Sequence, residues 1–599
     1  MVSRHRVYAA AVTFAMVFGL FGYRLVDLQL TPDPALVEGL GHRVRTDDLA
    51  APRGEIVDRW GRTFALSLPA STVVVDPRLV GPGEVPGLVS QLEPLVSTEP
   101  AVLTRRLLSD SHFAYIDRQV DPDIGAEIDA LHLPGVRLES EARREHPNGS
   151  CSGVSLVGRV DIDHIGISGL EESHNDSLTG VSGQIVREAS ADGSFTIPGG
   201  EQVVSAARPG LDLRLTLDRN VQYQAEQILA EAVYSSGGSL GIAVVMVPDT
   251  GEVIAAANVL RDPETGVVSC TTTNLSAIWA YEPGSIMKPL TVSGVLEAGH
   301  TEPHEEIVLP DQIEIPIEHG QSKRYTDWFT HEQATYTPVE IVTKSSNIGT
   351  ITLAERLGAD GLYQTLTSFG LGSRTALEFK GEARGILDPL DTHVLELSNV
   401  AIGQSVAVTG IQMIQAYNTI ANRGMHVDPV LVMDDVGDGE ARRVISEDTA
   451  DAVFAMMRSV VADGTGRRGQ LPGYRVAGKT GTAWQPCDGG IGYLCDGGGR
   501  HYTASFAGII SNDLGPELSV IVIIDDPQEV TGGGAVAAPV FAEIASYAVR
   551  QLRIPPASGM NSGERVRAMA ASAPVDAVAK VEDGVEDGVE DGVEQEDDA

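Results

Sequence analysis

The sequence predicts a multidomain α+β chain: an apolar N-terminal helix, an irregular mixed α/β module, and a second domain in which strand pairs alternate with helices. Three observations carry this. The 599 residues exceed the usual size of a single domain. One apolar run stands near the N-terminus, from Val7 to Tyr23. The texture then changes at Leu211, where Leu-Asp-Leu-Arg-Leu-Thr-Leu alternates apolar and polar residues as a half-buried strand does.

The apolar run is at the lower edge of membrane-spanning length, and Leu25, Val26 and Leu28 extend it. Arg4 and Arg6 precede it, which predicts a cytoplasmic N-terminus with the bulk of the chain outside. The competing reading is a cleaved signal peptide. Arg24, Asp27 and Gln29 follow the run without a small-x-small cleavage site, so an uncleaved anchor is expected. A polar stretch continues to about Ala50. The segment Arg53-Gly54-Glu55-Ile56-Val57-Asp58-Arg59-Trp60-Gly61-Arg62 reads as extended chain ending in a turn at Gly61. Short apolar runs such as Ser71-Thr72-Val73-Val74-Val75 follow, and Leu88 to Leu107 is helical in part.

Beyond Leu211, Asp218 is placed to cap a helix from Asn220 to about Val233. Leu240 to Val247 is a buried strand. Pro248-Asp249-Thr250-Gly251 is a hairpin turn, and Glu252 to Asn258 is the return strand. Strand pairs with helices between continue to about Ile554, and Gly492 to Arg500 is a glycine-rich loop expected to move. After Pro555 periodicity is lost. The chain ends in three copies of Val-Glu-Asp-Gly and an acidic stretch to Ala599, a composition that buries no core and is expected to be disordered.

The net charge of -40 excludes a nucleic-acid partner, because phosphate binding needs a basic surface. The four cysteines, Cys151, Cys270, Cys487 and Cys495, lack the paired spacing of a zinc site, and no metal or cofactor is expected. An exported chain keeps disulfides. Cys487 and Cys495 bracket a flexible Asp-Gly-Gly-Ile-Gly-Tyr-Leu loop and are the favoured pair, although four cysteines allow three pairings.

Three short motifs carry chemistry. In Ser285-Ile286-Met287-Lys288 the serine follows a Glu-Pro-Gly turn and opens an apolar run expected to be helical. A helix cap alone explains Ser285. It leaves Lys288 unexplained, which lies one turn away on the same face. A desolvated lysine can be neutral at pH 7 and take the hydroxyl proton, and the helix N-terminus favours the resulting oxyanion. In Ser345-Ser346-Asn347, Ser345 reads as a proton-shuttling hydroxyl and Asn347 as an amide that holds substrate backbone. A plain loop or cap is the competing meaning.

The third motif, Lys479-Thr480-Gly481-Thr482, has a rival. Gly473 to Thr480 satisfies the Walker A pattern. A P-loop follows a buried strand and opens a helix, whereas Gly469-Gln470-Leu471-Pro472 precedes this segment and Trp484-Gln485-Pro486 follows it. As a strand, it offers the Lys479 cation to a peptide carboxylate, and hydroxyls from Thr480 and Thr482. Gly481 is expected to let substrate backbone approach closely. The Thr482 and Ser285 amides are candidates for an oxyanion hole.

Ser-x-x-Lys, a Ser-x-Asn triplet and Lys-Thr-Gly in this order form a known signature set. With them, the chain resembles the class B penicillin-binding proteins, anchored peptidoglycan transpeptidases. Arg53 to Gly61 and Gly169-Leu170-Glu171 with Leu178-Thr179-Gly180 are similar to segments of the family's pedestal domain. Glu282 to Pro289, Lys344 to Gly349, Gly403-Gln404 with Val408-Thr409, and Gly478 to Thr482 are similar to successive transpeptidase segments. The resemblance implies an antiparallel sheet flanked by helices, plus an all-helical subdomain, as the transpeptidase fold. It implies residues 1–6 as cytoplasmic tail, 7–28 as transmembrane anchor and 29–50 as linker. Residues 51–209 become the dimerisation or pedestal domain, 210–554 the transpeptidase domain and 555–599 a disordered acidic tail. No glycosyltransferase domain precedes the pedestal, which excludes a bifunctional class A arrangement.

By the same resemblance Ser285 attacks the penultimate D-alanine carbonyl of a stem peptide, Lys288 is the base, and Ser345 with Lys479 relays protons. β-Lactams are covalent inhibitors. A membrane glycosyltransferase and divisome proteins are the implied partners, in a cell membrane with the catalytic domain outside. Phe64-Ala65-Leu66-Ser67 and the short anchor-to-pedestal spacing resemble the division type rather than the lateral-wall type. A serine β-lactamase or β-lactam sensor would use the same site. Two features depart from the family pattern: His146-Pro147 where Tyr-Pro is usual, and the cysteine-bracketed insertion after the Lys-Thr-Gly strand.

Overall fold

The structure, a computed structural model, describes residues 4–30, 44–147, 149, 151–189, 196–316, 322–377, 379–390, 394–437, 439, 441–487, 492–495 and 499–558. The acidic tail after 558, most of the linker, and residues 488–491 and 496–498 of the glycine-rich insertion lie outside the described residues. The chain forms two compact units. One comprises Met1–Gly54, Ser67–Glu145 and Ser177–Leu211. The other comprises Glu55–Leu66, His146–Asp176 and Asp212–Ala599.

The first unit begins with the helix Arg4–Leu30. Its segment Val7–Asp27 is long and apolar enough to cross a membrane, and 21 residues at about 1.5 Å each span about 30 Å. The one hydroxyl in its middle is satisfied locally, since Thr13 Oγ1 donates to Ala9 O at 2.9 Å. Farther on, the second half of strand Thr63–Val75 pairs antiparallel with Ala114–Val120. Helices Val85–Leu92 and Pro100–Leu107 each start on a proline turn, as their free N–H groups allow. They bury Leu88, Leu92, Leu103 and Leu107 with Val73, Val75 and Ile116. A separate three-stranded sheet joins Val44–Leu49, Gly183–Ala189 and Thr196–Ser205.

The second unit is organised by a six-stranded antiparallel sheet. Its spatial order is Val268–Cys270, Val253–Arg261, Leu240–Met246, Pro516–Asp525, His501–Ser511 and Arg475–Gln485. The Leu240–Met246 strand is buried along its whole length, so it carries apolar residues at both parities. Ala243 and Val245 face a core shared with helices Arg219–Ser236 and Gly533–Gln551, which supply Leu229, Val233, Phe541 and Ala545. The opposite parity, Ile242 with Ile523, meets helix Gly410–Ala421, where a Cβ on Gly410 would sit 3.4 Å from both side chains. As expected, Asp218 caps the first of these helices, accepting from Asn220 N and Val221 N. Asp58 and Arg62 lock the Glu55–Arg62 segment onto the same cap. Asp58 accepts from Arg62 Nε at 2.7 Å and Arg219 N at 3.1 Å, and Arg62 pairs with Asp218 at 3.0 Å.

Inserted between the strands is a helical region of Lys288–Glu297, Pro338–Lys344, Asn347–Ser368, Val394–Ala401 and Glu447–Ala462. Val292, Val295, Ile341, Leu353, Met456 and Val460 form its core. Two short strand pairs decorate it, Ile307–Leu309 with Ala334–Tyr336 and Gln312–Pro316 with Ser322–Thr326. Disulfides join Cys151 to Cys270 and Cys487 to Cys495.

Candidate active site

Ser285 sits in a single 3-10 turn, Gly284–Met287, and the α-helix itself starts at Lys288. The sequence reading has Ser285 itself open the α-helix, three residues before the structure does. Pro289, at the start of the α-helix, explains the shift, since proline is favoured in the first turn and has no N–H to give. A 3-10 turn stacks i directly over i+3, so Ser285 and Lys288 still share a face. The turn is held from behind. Gly284 N donates to Gly403 O at 2.9 Å, and the buried Tyr417 hydroxyl donates to Ile286 O at 2.8 Å. Gly403 has φ +84°, and a Cβ there would lie 2.1 Å from Gly284 O, so only glycine fits behind the Ser285 turn.

Lys288 is fully buried, and its ammonium nitrogen has three partners. Nζ donates to Ser345 O at 2.7 Å and Asn347 Oδ1 at 2.7 Å, and lies 3.3 Å from Ser345 Oγ. Asn347 also donates from Nδ2 to Thr326 O at 2.9 Å. The amide expected to hold substrate backbone is thus engaged at both ends in positioning Lys288. Ser345 ends helix Pro338–Lys344 in the left-handed conformation, φ 61°. That backbone is unfavourable for a serine and turns its hydroxyl inward.

Lys479 lies in the middle of the edge strand Arg475–Gln485, paired with Ala507. The strand runs on to Gln485, so its amides serve a sheet ladder rather than converging on a phosphate, and the P-loop alternative falls. Its Nζ donates to Ser345 Oγ at 2.8 Å and to Thr480 O at 3.0 Å. The second bond places the Thr480 carbonyl on the open edge of the sheet. Backbone groups two residues apart in a strand point to the same side, so the Thr482 N–H is on that edge as well. Thr482 O lies 3.2 Å from the Cβ position of Gly284, beside the Ser285 turn. Thr480 Oγ1 bonds Thr465 Oγ1 at 2.7 Å, while the exposed Thr482 Oγ1 accepts from Gly533 N at 3.1 Å. At Gly481 a Cβ would lie 2.3 Å from Ser505 Oγ and 2.9 Å from Pro283 O. Glycine here lets the strand close against Ser505 and Pro283.

Burial pushes Lys288 down from its ordinary value to about 7, and the nearby Asp327 carboxylate opposes part of that shift. Burial and the Lys288 charge hold Lys479 well below the ordinary lysine range. Asp327 had no sequence signal. It is buried, accepts from Ser346 Oγ at 2.7 Å, Ile348 N at 3.1 Å and His331 Nε2 at 3.1 Å, and so anchors the start of helix Asn347–Ser368. Tyr417 was also missed, since a tyrosine inside an apolar helix looks like core. Cys487 and Cys495 join beyond the end of the Lys479 strand. The structure therefore brings Lys288, Ser345, Asn347 and Lys479 into one hydrogen-bonded cluster, with the Ser285 turn one helical step from Lys288.

The chain matches the sequence profiles of two families. One is described as the penicillin binding protein transpeptidase domain, over residues 241–546, and the other as the penicillin-binding protein dimerisation domain, over residues 48–215. It is 32% identical to penicillin-binding protein PbpB of Mycolicibacterium smegmatis, covering 92% of this chain and 91% of that one. It is 30% identical to the peptidoglycan D,D-transpeptidase FtsI of Escherichia coli, covering 94% of each. The crystal structure of penicillin binding protein 3 from Mycobacterium tuberculosis, complexed with aztreonam, aligns with a TM-score of 0.62 at 27% identity, over 85% of this chain and 98% of that one. With one helix among its described residues long and apolar enough to cross a membrane, and its likeness to FtsI, the chain is a single-pass membrane protein. A serine-lysine turn, a second serine shared by two lysines and a dimerisation-type domain thus stand in one chain, which belongs to the class B penicillin-binding proteins.

Proposed function

We propose that the chain cross-links peptidoglycan stem peptides as a D,D-transpeptidase of the septal wall, through an acyl-enzyme on Ser285. The observation that carries this is the Lys288–Ser345–Lys479 cluster beside the Ser285 turn and the open Arg475–Gln485 edge. An extended peptide adds to that edge as a further strand, with its terminal carboxylate toward Lys479. Neutral Lys288 takes the Ser285 proton as Oγ attacks the penultimate D-alanine carbonyl. The Ser285 and Thr482 N–H groups receive the oxyanion. Collapse breaks the peptide bond, and the departing D-alanine amine takes a proton relayed through Ser345. An acceptor amine then attacks the ester, its proton returns to Ser285 Oγ, and the cross-link leaves. A β-lactam acylates Ser285 in the same way, but its cleaved amide nitrogen stays tethered, so the ester persists.

The septal role rests on the likeness to FtsI, on Phe64-Ala65-Leu66-Ser67 and on the short spacing from anchor to pedestal. Arg4 and Arg6 put the N-terminus in the cytoplasm and the two domains outside. The division at about residue 210 is read as pedestal before transpeptidase, with a membrane glycosyltransferase and divisome proteins as partners of the anchor and pedestal. The test is labelling of the detergent-solubilised chain with a fluorescent penicillin. Wild type labels once and Ser285→Ala does not. Equal labelling of both sinks the mechanism, and rapid turnover of the label marks a hydrolase. Depletion giving filaments supports the septal role, and rounded cells point to the lateral wall.

A further inference from the structure

We propose that Tyr493 is a positioning residue for the nucleophile, acting through Glu282, and that the Cys487–Cys495 disulfide holds it there. This rests on Ser285 being the nucleophile.

Residues 280–284, which lead into Ser285, are fastened on one side. Ala280 pairs with Thr409 and Tyr281 with Val408, and Gly284 N donates to Gly403 O. The Glu282 carboxylate adds to this by accepting from Ser405 N at 3.0 Å. On its other side it accepts from Tyr493, whose hydroxyl lies 2.8 Å from both carboxylate oxygens. Glu282 is therefore the point where a third element grips the segment three residues before the nucleophile. Burial pushes the Glu282 carboxyl up, and the Tyr493 and Ser405 donors favour its charged form.

Tyr493 is the sixth residue after Cys487, in a stretch rich in glycine and poor in apolar residues. Three features fix it. The disulfide closes the loop at Cys495, Cys487 N donates to Gly492 O at 3.3 Å, and the Tyr493 ring packs 5.7 Å from that of Trp484. Trp484 is two residues beyond Thr482 on the Lys479 strand and carries the Arg500 guanidinium 4.3 Å above its ring. Ordering a glycine-rich loop is entropically costly, and a cross-link removes part of that cost from the open state. The hydrogen bond to Glu282 thus persists because the loop is closed.

The grip also reaches the base. Ser405 Oγ accepts from Asn399 Nδ2 at 3.1 Å, and Asn399 Oδ1 accepts from the Tyr325 hydroxyl at 2.5 Å. The next residue, Thr326, receives the Asn347 amide that holds Lys288. Tyr493, Glu282, Ser405, Asn399 and Tyr325 form one polar chain from the disulfide loop to the lysine side of the site.

The test is stopped-flow acylation of the full-length, detergent-solubilised chain by a fluorescent penicillin over a concentration series, separating Kd from the limiting rate. Tyr493→Phe keeps the ring on Trp484. It is expected to lower the limiting rate by about five- to tenfold with Kd within about twofold. The Cys487→Ser/Cys495→Ser double variant, which leaves Cys151–Cys270 intact, gives the same loss. Adding Tyr493→Phe to it gives little more, because both remove one contact. Glu282→Gln keeps an acceptor and recovers most of the rate lost in Glu282→Ala. Wild-type limiting rates in Tyr493→Phe and in the double serine variant overturn the proposal. A loss confined to Kd overturns it as well. A wild-type chain that is not labelled at Ser285 instead removes the nucleophile reading beneath it.

Discussion

Lys288 and Lys479 converge on a single oxygen: the Ser345 hydroxyl lies 3.3 Å from one ammonium nitrogen and 2.8 Å from the other. Both lysines are fully buried. Two protonated amines around one hydroxyl repel in a medium that screens poorly, and burial already disfavours each charge. The ground state of the site therefore holds at least one neutral amine. Ser345 can accept a hydrogen bond from one lysine while donating its own proton to the other, which is what a relay requires.

The first prediction concerns pH. Lys288 acts as a base only when neutral, so penicillin acylation rises from pH 6 to 8 with an inflection near its value of about 7. Asp327 raises that value, so Asp327→Asn moves the inflection to lower pH. Stopped-flow acylation across pH checks both, and an unmoved inflection in the variant rejects the assignment. Stability follows with a stated sign. The folded value lies below the ordinary 10.5, so the unfolded chain binds more protons between about 7 and 10.5, and this group's contribution favours folding more as pH rises through that window.

Ser345 separates catalysis from backbone strain. Ser345→Ala removes the shared hydroxyl and slows acylation by about 10²- to 10⁴-fold. Ser345→Gly is equally inactive, but glycine accepts the φ of 61° without strain. Denaturant unfolding should find the glycine variant more stable than the alanine variant by about 1 kcal/mol. An alanine variant as stable as the glycine variant would contradict the strain argument.

Gly403→Ala tests the support behind the nucleophile. Its Cβ collides with Gly284 O at 2.1 Å, in a backbone conformation alanine avoids. The turn has to shift, and a displacement near 1 Å costs about 100-fold in acylation. Tyr417→Phe loses only the bond to Ile286 O and leaves that carbonyl unpaired, for a loss of about 1–3 kcal/mol in stability. A Gly403→Ala chain that acylates normally would show that the turn is held elsewhere.

The two disulfides differ in what they stabilise. Cys151–Cys270 closes a separation of 119 residues, so chain entropy gives about 5 kcal/mol, against about 2.5 kcal/mol for the eight-residue Cys487–Cys495 separation. Cys151→Ser/Cys270→Ser should lower the melting temperature clearly more than Cys487→Ser/Cys495→Ser does. The reverse order would mean that strain or residual structure dominates.

Local pattern alone was enough for the apolar anchor, the Asp218-capped helix, the Leu240–Met246 hairpin and the strand character of Lys479-Thr480-Gly481-Thr482. Each depends on periodicity, a cap or a turn within a few residues, and these are written in adjacent sequence. The same short range pairs Ser285 with Lys288. What the tertiary structure alone decided is long-range. It set Ser345 between two lysines that lie 57 and 134 positions away in the chain. It turned Asn347 onto Lys288 and Thr326 rather than outward, and it gave Gly481 a packing reason that no local rule contains. Asp327 and Tyr417 acquired roles only through the residues they meet, because a buried carboxylate or a hydroxyl inside an apolar helix has no signature until its partner is in place. Sequence determined which groups this chain can bring to acyl transfer. Packing decided which of them touch, because desolvation and hydrogen-bond geometry depend on neighbours that are distant along the chain.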